Sequence, residues 1–270
     1  MTLVMGILNV TPDSFSDGGS YVDAEVAIGH ARRMLSAGAS MIDVGGESTR
    51  PGSARVGLEE ELRRVVPIVS ALSADGITVS VDTMRATVAA AAIDAGARII
   101  NDVSGGLADP DMLGVVAQSS ADFVLMHWRD HSARFQSTAQ YDDVVADVLR
   151  ELLAQRDKAL GAGIPGERII LDPGLGFSKT WDHNWTLLRH LDRFQGIGHR
   201  VLVGASRKAF LGELLGGREP LGRDGATAAV SFWSALHGVW AVRTHDVSGQ
   251  ADAIAVARRL DREAPFARGV

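Results

Sequence analysis

The chain has 270 residues, 46% of them apolar and 22% charged, a balance that sustains a sizeable core and excludes a disordered chain. Twenty-seven basic against thirty-three acidic residues leave a net charge of −6, which disfavours a broad nucleic-acid or membrane surface. The absence of cysteine excludes disulfides, thiolate metal sites and a thiol nucleophile.

No apolar run approaches the roughly 18 residues of a membrane span. Met1–Leu8 carries no basic segment of the signal-peptide kind, so a cytoplasmic protein is expected. The first predicted strand is Leu3–Leu8, followed by a polar loop from Val10 to Tyr21 tipped by Phe15. A helical pattern then ends at Gly38 before a strand at Met41–Val44, and a second long loop spans Gly45–Gly57. Leu58, Leu62, Val65, Val66, Val69 and Leu72 repeat at helical spacing, with Pro67 predicting a kink. Gly76 precedes a strand at Ile77–Val81, Gly96 one at Ile99–Ile100, and Phe123–Met126 is the fifth. Arg129 to Gln140 reads as solvated linker, and Val144, Val145, Val148, Leu149 and Leu152 as a helix. Gly163 leads to Ile169–Leu171, and Val201–Val203 and Val239–Val242 complete the set. Glycine just past a helix end adopts the left-handed conformation that closes the last turn, so these glycines mark helix-to-strand junctions.

Eight near-continuous apolar strands alternating with helices predict a (β/α)8 TIM barrel, an α/β fold, with residues 1–270 as a single domain. A doubly wound sheet is the competing architecture, but no G-x-G-x-x-G follows the first strand. Polar residues stand at nearly every strand end: Asn9, Asp43, Asp82, Asn101-Asp102, His127, Asp172, Ser206-Arg207-Lys208 and Arg243-Thr244-His245-Asp246. In a parallel barrel these ends meet at one rim, where active sites lie. One aspartate after a strand is more often a turn or cap residue; that reading weakens when acids, amides and bases converge on one face. Asp82, Asn101 and Asp172 suit a flat heterocycle with amino and ring N–H groups. Lys208, Arg243, His245 and Arg50 suit an anion such as phosphate. The spacing disfavours zinc and leaves open a magnesium ion carried mainly by phosphate, with one protein oxygen such as Asn9. His30 and His127 read as core or surface histidines, and Trp233 and Trp240 as packing or an oligomer contact.

Eight segments in this chain resemble the dihydropteroate synthases. They are Met5–Gly19 (MGILNVTPDSFSDGG), Ile42–Gly52 (IDVGGESTRPG), Ser80–Arg85 (SVDTMR), Ile100–Gly106 (INDVSGG), Leu125–Trp128, Leu171–Lys179 (LDPGLGFSK), Val203–Leu211 (VGASRKAFL) and Val242–Val247 (VRTHDV). They occur in the family's order over essentially the whole chain. The resemblance implies condensation of 6-hydroxymethyl-7,8-dihydropterin pyrophosphate with p-aminobenzoate, releasing pyrophosphate. It further implies that Asp82, Asn101, Asp172 and Lys208 bind the pterin, with Met126 and Phe177 lining its pocket and Ser206 beside it. Thr49, Arg243 and His245 would hold the pyrophosphate and Asn9 a Mg2+ ion. Phe15, Ser48, Arg50 and Pro51 would frame the p-aminobenzoate pocket. Asp82, Lys208 and Asp13 carry the catalytic expectation. A homodimer with small-molecule substrates is implied, with no nucleic-acid or membrane partner. Ala209 departs from the serine or arginine common after the lysine.

A rival is the pterin-binding methyltransferase that passes a methyl group to a corrinoid protein; it leaves Ser206-Arg207-Lys208 and the loop tipped by Phe15 unexplained. A non-catalytic pterin-binding paralogue is disfavoured because the candidate chemical residues are all present. A phosphate-binding aldolase or isomerase barrel would want a Schiff-base lysine inside a strand, and none is evident.

Overall fold

Eight parallel strands pair in sequence order and close on themselves, β8 against β1. They are β1 (Leu3–Asn9), β2 (Met41–Gly45), β3 (Val79–Asp82), β4 (Ile99–Asp102), β5 (Asp122–Met126), β6 (Ile169–Asp172), β7 (Arg200–Val203) and β8 (Ala241–Thr244). The helices are α1 (Ser20–Ser36), α2 (Leu58–Ala74), α3 (Ala86–Asp94), α4 (Met112–Ala117), α5 (Val144–Gly161), α6 (Trp181–Arg189), α7 (Leu191–Gln195), α8 (Ala209–Leu214), α9 (Asp224–Leu236) and α10 (Val247–Glu263). This is the expected (β/α)8 barrel, seen in a computed structural model that describes residues 1–10, 20–47, 56–129 and 138–263.

Successive side chains of a strand alternate between its two faces, and here the alternation sorts the core into two parts. Val4, Ile42, Ile100, Phe123, Ile169, Val201 and Val242 join the helices in one large buried cluster. Met5, Met41, Ile99, Val124, Ile170, Leu202 and Ala241 form a separate, smaller one that plugs the barrel. Following this inward set two or four residues along each strand reaches Asn9, Asp43, Gly45, Asn101, Met126, Asp172, Gly204 and Arg243. Asn9, Gly45, Asp82 and Asn101 are successive register partners across β1 to β4. The polar residues therefore form the upper layers of an inward stack whose lowest layer is apolar.

The helix-to-strand glycines behave as the sequence requires. Gly38, Gly76, Gly96 and Gly163 have φ of 109°, 75°, 106° and 100°, and Gly238, not foreseen, has 70°. In each case the next residue's N–H bonds back across the last turn: Ala39 to Met34 O, Ile77 to Leu72 O, Ala97 to Ala92 O, Ile164 to Ala159 O and Val239 to Ser234 O. This closes the helix carbonyls and turns the chain into the next strand. It also explains why β3 and β8 start later than the apolar runs suggest, since Ile77 and Val239 spend their N–H groups on the preceding helix. The strands likewise end later, taking in Asn9, Asp82, Asn101 and Asp172.

Helix α2 runs without interruption through Pro67, which is exposed, and buries Val65, Ile68, Val69 and Leu72; Leu58 at its start is exposed. Among the described residues no helix is long and apolar enough to cross a membrane.

Alanine at Gly76 would meet open space and incur only the left-handed backbone cost, whereas at Gly96 its Cβ would also sit 2.7 Å from Ser73 Cβ. Urea unfolding should show Gly76→Ala losing about 1–2 kcal/mol and Gly96→Ala losing more.

Candidate active site

At the rim the partly buried guanidinium of Arg243 organises the polar layer. Arg243 Nε donates to Asp43 Oδ2 at 2.6 Å and its Nη2 to Asp82 Oδ2 at 2.7 Å. Asn101 Nδ2 donates to the same Asp43 oxygen at 3.1 Å, so Asp43 fixes an amide and a guanidinium together. Asp43 is fully buried, and its Oδ1 has no hydrogen-bond partner. Burial pushes the Asp82 carboxyl up, with Arg243 opposing and Asp43 adding to the rise. Burial works against the Arg243 cation, yet Asp43 and Asp82 outweigh it and raise it.

A second group forms from β6 and β7. Asp172 Oδ1 accepts the Gly174 N–H at 2.7 Å; burial raises its carboxyl while Lys208 pulls it down. Lys208 Nζ donates to Leu175 O and lies 4.6 Å from the centre of the Phe177 ring. Burial brings the Lys208 ammonium down to about 8, against the pull of Asp172. Glycine is obligatory at 174, where φ is 68° and a Cβ would stand 2.3 Å from His127 O. On the far side, Ser206 Oγ lies 2.9 Å from His245 Nδ1 and accepts the His245 N–H at 3.1 Å. The serine hydroxyl serves either ring tautomer, and the contact orients the imidazole at the cavity wall.

These elements enclose a cavity of about 850 Å3. Asn9, Asn101, Met126, Asp172, Phe177, Ser206, Lys208, Arg243 and His245 line it, as the sequence led one to expect. Ala209 lines it too. Asp82 is not on the wall; it is buried behind Arg243 and acts through that cation. Asp13, Phe15, Ser48, Thr49, Arg50 and Pro51 lie outside the described residues. The residues on either side of 48–55 are tied by Arg85, which bonds Glu47 Oε2 at 3.0 Å, Val56 O at 2.7 Å and the buried Glu61.

Three contributors were missed from sequence. Asp43 is one. Lys179 lines the cavity, and His127 stands directly behind it, 2.9 Å from Lys179 Nζ to His127 Nδ1. His127 is fully buried, and its Nε2 lies 2.9 Å from Glu151 Oε2. Arg129, read as linker, instead pairs with Glu151 and stacks 3.8 Å over Tyr141. Burial lowers the His127 ring to about 4, with Lys179 adding to the fall. Burial opposes the Glu151 carboxylate, yet bonds from His127 and Arg129 hold it well below its usual range. Trp233, half-exposed, donates to Leu188 O at 2.8 Å, and Trp240 packs at the foot of the barrel. Among the described residues, no three His, Asp or Glu side chains gather as metal ligands.

The chain belongs to the pterin binding enzyme family, whose pattern it matches over residues 5–245. Within that family it groups with the dihydropteroate synthases. That of Mycobacterium leprae is 53% identical over 259 residues, spanning 94% of this chain and 91% of the relative. Two solved dihydropteroate synthases superpose closely. The Xanthomonas albilineans enzyme with 4-aminobenzoic acid is 43% identical with a TM-score of 0.89, over 96% of this chain and 93% of that one. The Yersinia pestis enzyme with a sulfonamide drug complex is 41% identical with a TM-score of 0.91, over 97% and 95%.

A His127 ring held neutral stabilises the fold fully above its unfolded value of 6.5, and that stability drains as pH falls toward 4. The expected loss is roughly 3 kcal/mol. A ring-carbon NMR titration should give a midpoint near 4; a midpoint near 6.5 contradicts the buried arrangement.

Proposed function

We propose that the enzyme, a transferase, condenses 6-hydroxymethyl-7,8-dihydropterin pyrophosphate with p-aminobenzoate to 7,8-dihydropteroate and pyrophosphate. The observation that carries this reading is one cavity with two chemically distinct walls. Asp172 and Asn101 offer acceptors to a flat heterocycle. With Nδ2 of Asn101 committed to Asp43, its Oδ1 is the end that accepts from a ring N–H. Phe177, held beside Lys208, offers a stacking face. Arg243 and His245, oriented by Asp43, Asp82 and Ser206, take the diphosphate.

The bond broken joins the pterin methylene carbon to the diphosphate oxygen; the bond formed joins that carbon to the aromatic amine, which gives up one proton. Charge leaves with the diphosphate, so pre-oriented cations lower the barrier without reorganising. The carboxylate of Asp172, on the cavity wall, offsets the positive charge left on the conjugated methylene. An aromatic amine is largely unprotonated at neutral pH, so attack needs no strong base. Asp13 and the residues Phe15, Thr49, Ser48, Arg50 and Pro51 remain assigned by family resemblance, the first near the leaving group and the others around diphosphate and p-aminobenzoate.

A magnesium ion fits the donor set. Asn9 lines the cavity at the end of β1, and no other described residue bonds its side-chain amide. A single neutral oxygen suits an ion whose remaining ligands come from phosphate and water. Asn9 would hold Mg2+, which supplies charge neutralisation to the diphosphate when bound. A sulfonamide, as in the Yersinia pestis complex, would compete for the p-aminobenzoate position. The expected form is a cytoplasmic homodimer, for which sedimentation should give twice the 28.6 kDa chain mass.

Coupled detection of pyrophosphate tests the reaction: product should form only with both substrates and cease with EDTA. Lys208→Ala should lower kcat/KM at least a hundredfold, about 3 kcal/mol. Product formation at the wild-type rate in Lys208→Ala would refute its role, and methyl transfer to a corrinoid without pyrophosphate release would favour the rival barrel enzyme.

A further inference from the structure

Lys179 is a cavity-lining cation that the mechanism above leaves without a task. It follows β6 by seven residues, in the loop that carries Phe177, and its aliphatic stem returns to the rim so that the ammonium sits beside Gly174, 3.4 Å from where a Cβ there would stand. Nζ makes two bonds of fixed sense. It reaches Phe177 O at 2.9 Å and His127 Nδ1 at 2.9 Å. An ammonium only donates, so Nδ1 accepts and the His127 proton lies on Nε2, directed at Glu151. Glu151 is in turn clamped by Arg129. The line Arg129–Glu151–His127–Lys179 thus runs from α5 under β5 to the cavity wall, each member orienting the next.

The end of this line meets the heterocycle wall. The His127 N–H donates to Asp172 O at 2.9 Å, which locks the two strand ends together. Asp172 is the acid that most favours the Lys179 cation, while Lys208 and Arg129 oppose it and burial lowers it overall. Lys208 and Lys179 both favour the ionised form of Asp172, and the His127 link brings Lys179 to the end of its strand. A carboxylate buried on a wall that takes up a neutral bicycle requires such support to stay ionised and to accept from amino groups.

We propose that Lys179 is a positioning residue of the pterin subsite: through Asp172 and the Phe177 carbonyl it holds the acceptor and the stacking ring that receive the heterocycle. The proposal rests on the pterin reading of the cavity. It assigns no contact with p-aminobenzoate, so it separates the two substrates.

The absence of cysteine from the chain permits a direct test. Lys179→Cys carries a single thiol at the cavity wall, and alkylation with 2-bromoethylamine rebuilds an ammonium of lysine length. The expected result for Lys179→Cys is a tenfold or larger rise in KM for the dihydropterin substrate and in Kd for a fluorescent pterin analogue. KM for p-aminobenzoate and the melting temperature should stay close to wild type, and aminoethylation should restore pterin affinity to within threefold. In the same protein the His127 ring should titrate higher than in wild type, because a neighbouring cation has gone. Lys179→Gln should show the same loss for pterin. The proposal is overturned if pterin affinity is unchanged, if both substrates weaken alike, if aminoethylation restores nothing, or if both variants fail to fold, which would make the residue structural. Wild-type protein assayed alongside keeps this separate from the reaction itself: absence of dihydropteroate there refutes the functional reading, whereas a normal wild type with an indifferent Lys179→Cys refutes only the positioning role.

Discussion

A guanidinium held between two carboxylates is the constraint on which the rim depends. Burial works against the Asp82 carboxylate and Arg243 opposes that effect, while the two acids together offset the desolvation of Arg243. Such a trio gains little net stability, since desolvation consumes most of the Coulombic return. What it supplies is direction: Nε and one amino edge of the guanidinium are spoken for, so its remaining face has one orientation. Asn101, held by the same Asp43 oxygen, inherits that order. The arrangement keeps strong charges ready in a cavity without letting them collapse onto one another, as an electrostatically preorganised site requires.

The fold was readable because two local rules act at most of the repeats. Left-handed glycine ends a helix, and a short apolar run begins a strand; each rule is a property of a few adjacent residues, so it survives without tertiary knowledge. Strand limits were less readable because the N–H groups of Ile77 and Val239 are claimed by the preceding helices, a competition that apolarity does not reveal.

The site was readable where a polar side chain interrupts an apolar strand near its end, as at Asn9, Asp82, Asn101, Asp172 and Arg243. It was less so where the role depends on depth or on a return of the chain. Asp82 and Asp43 belong to the same stack, but only the fold shows that both are bonded to Arg243. Lys179 sits in a glycine-rich turn that looks like ordinary loop, and its approach to His127, 52 positions earlier, has no signature in either segment. Arg129 looked solvated for the same reason: its partner Glu151 is about two turns into a later helix.

The bond between Arg243 and Asp43 joins residues 200 positions apart, and it is made by the strand that closes the cylinder. A nascent chain holding seven strands would already own the wall of amides and acids but have no anion end, and Asp43 and Asp82 would be left as buried like charges repelling one another. Ring closure and ligand competence are therefore the same event, and late zippering of β8 onto β1 converts an electrostatic liability into a working receptor.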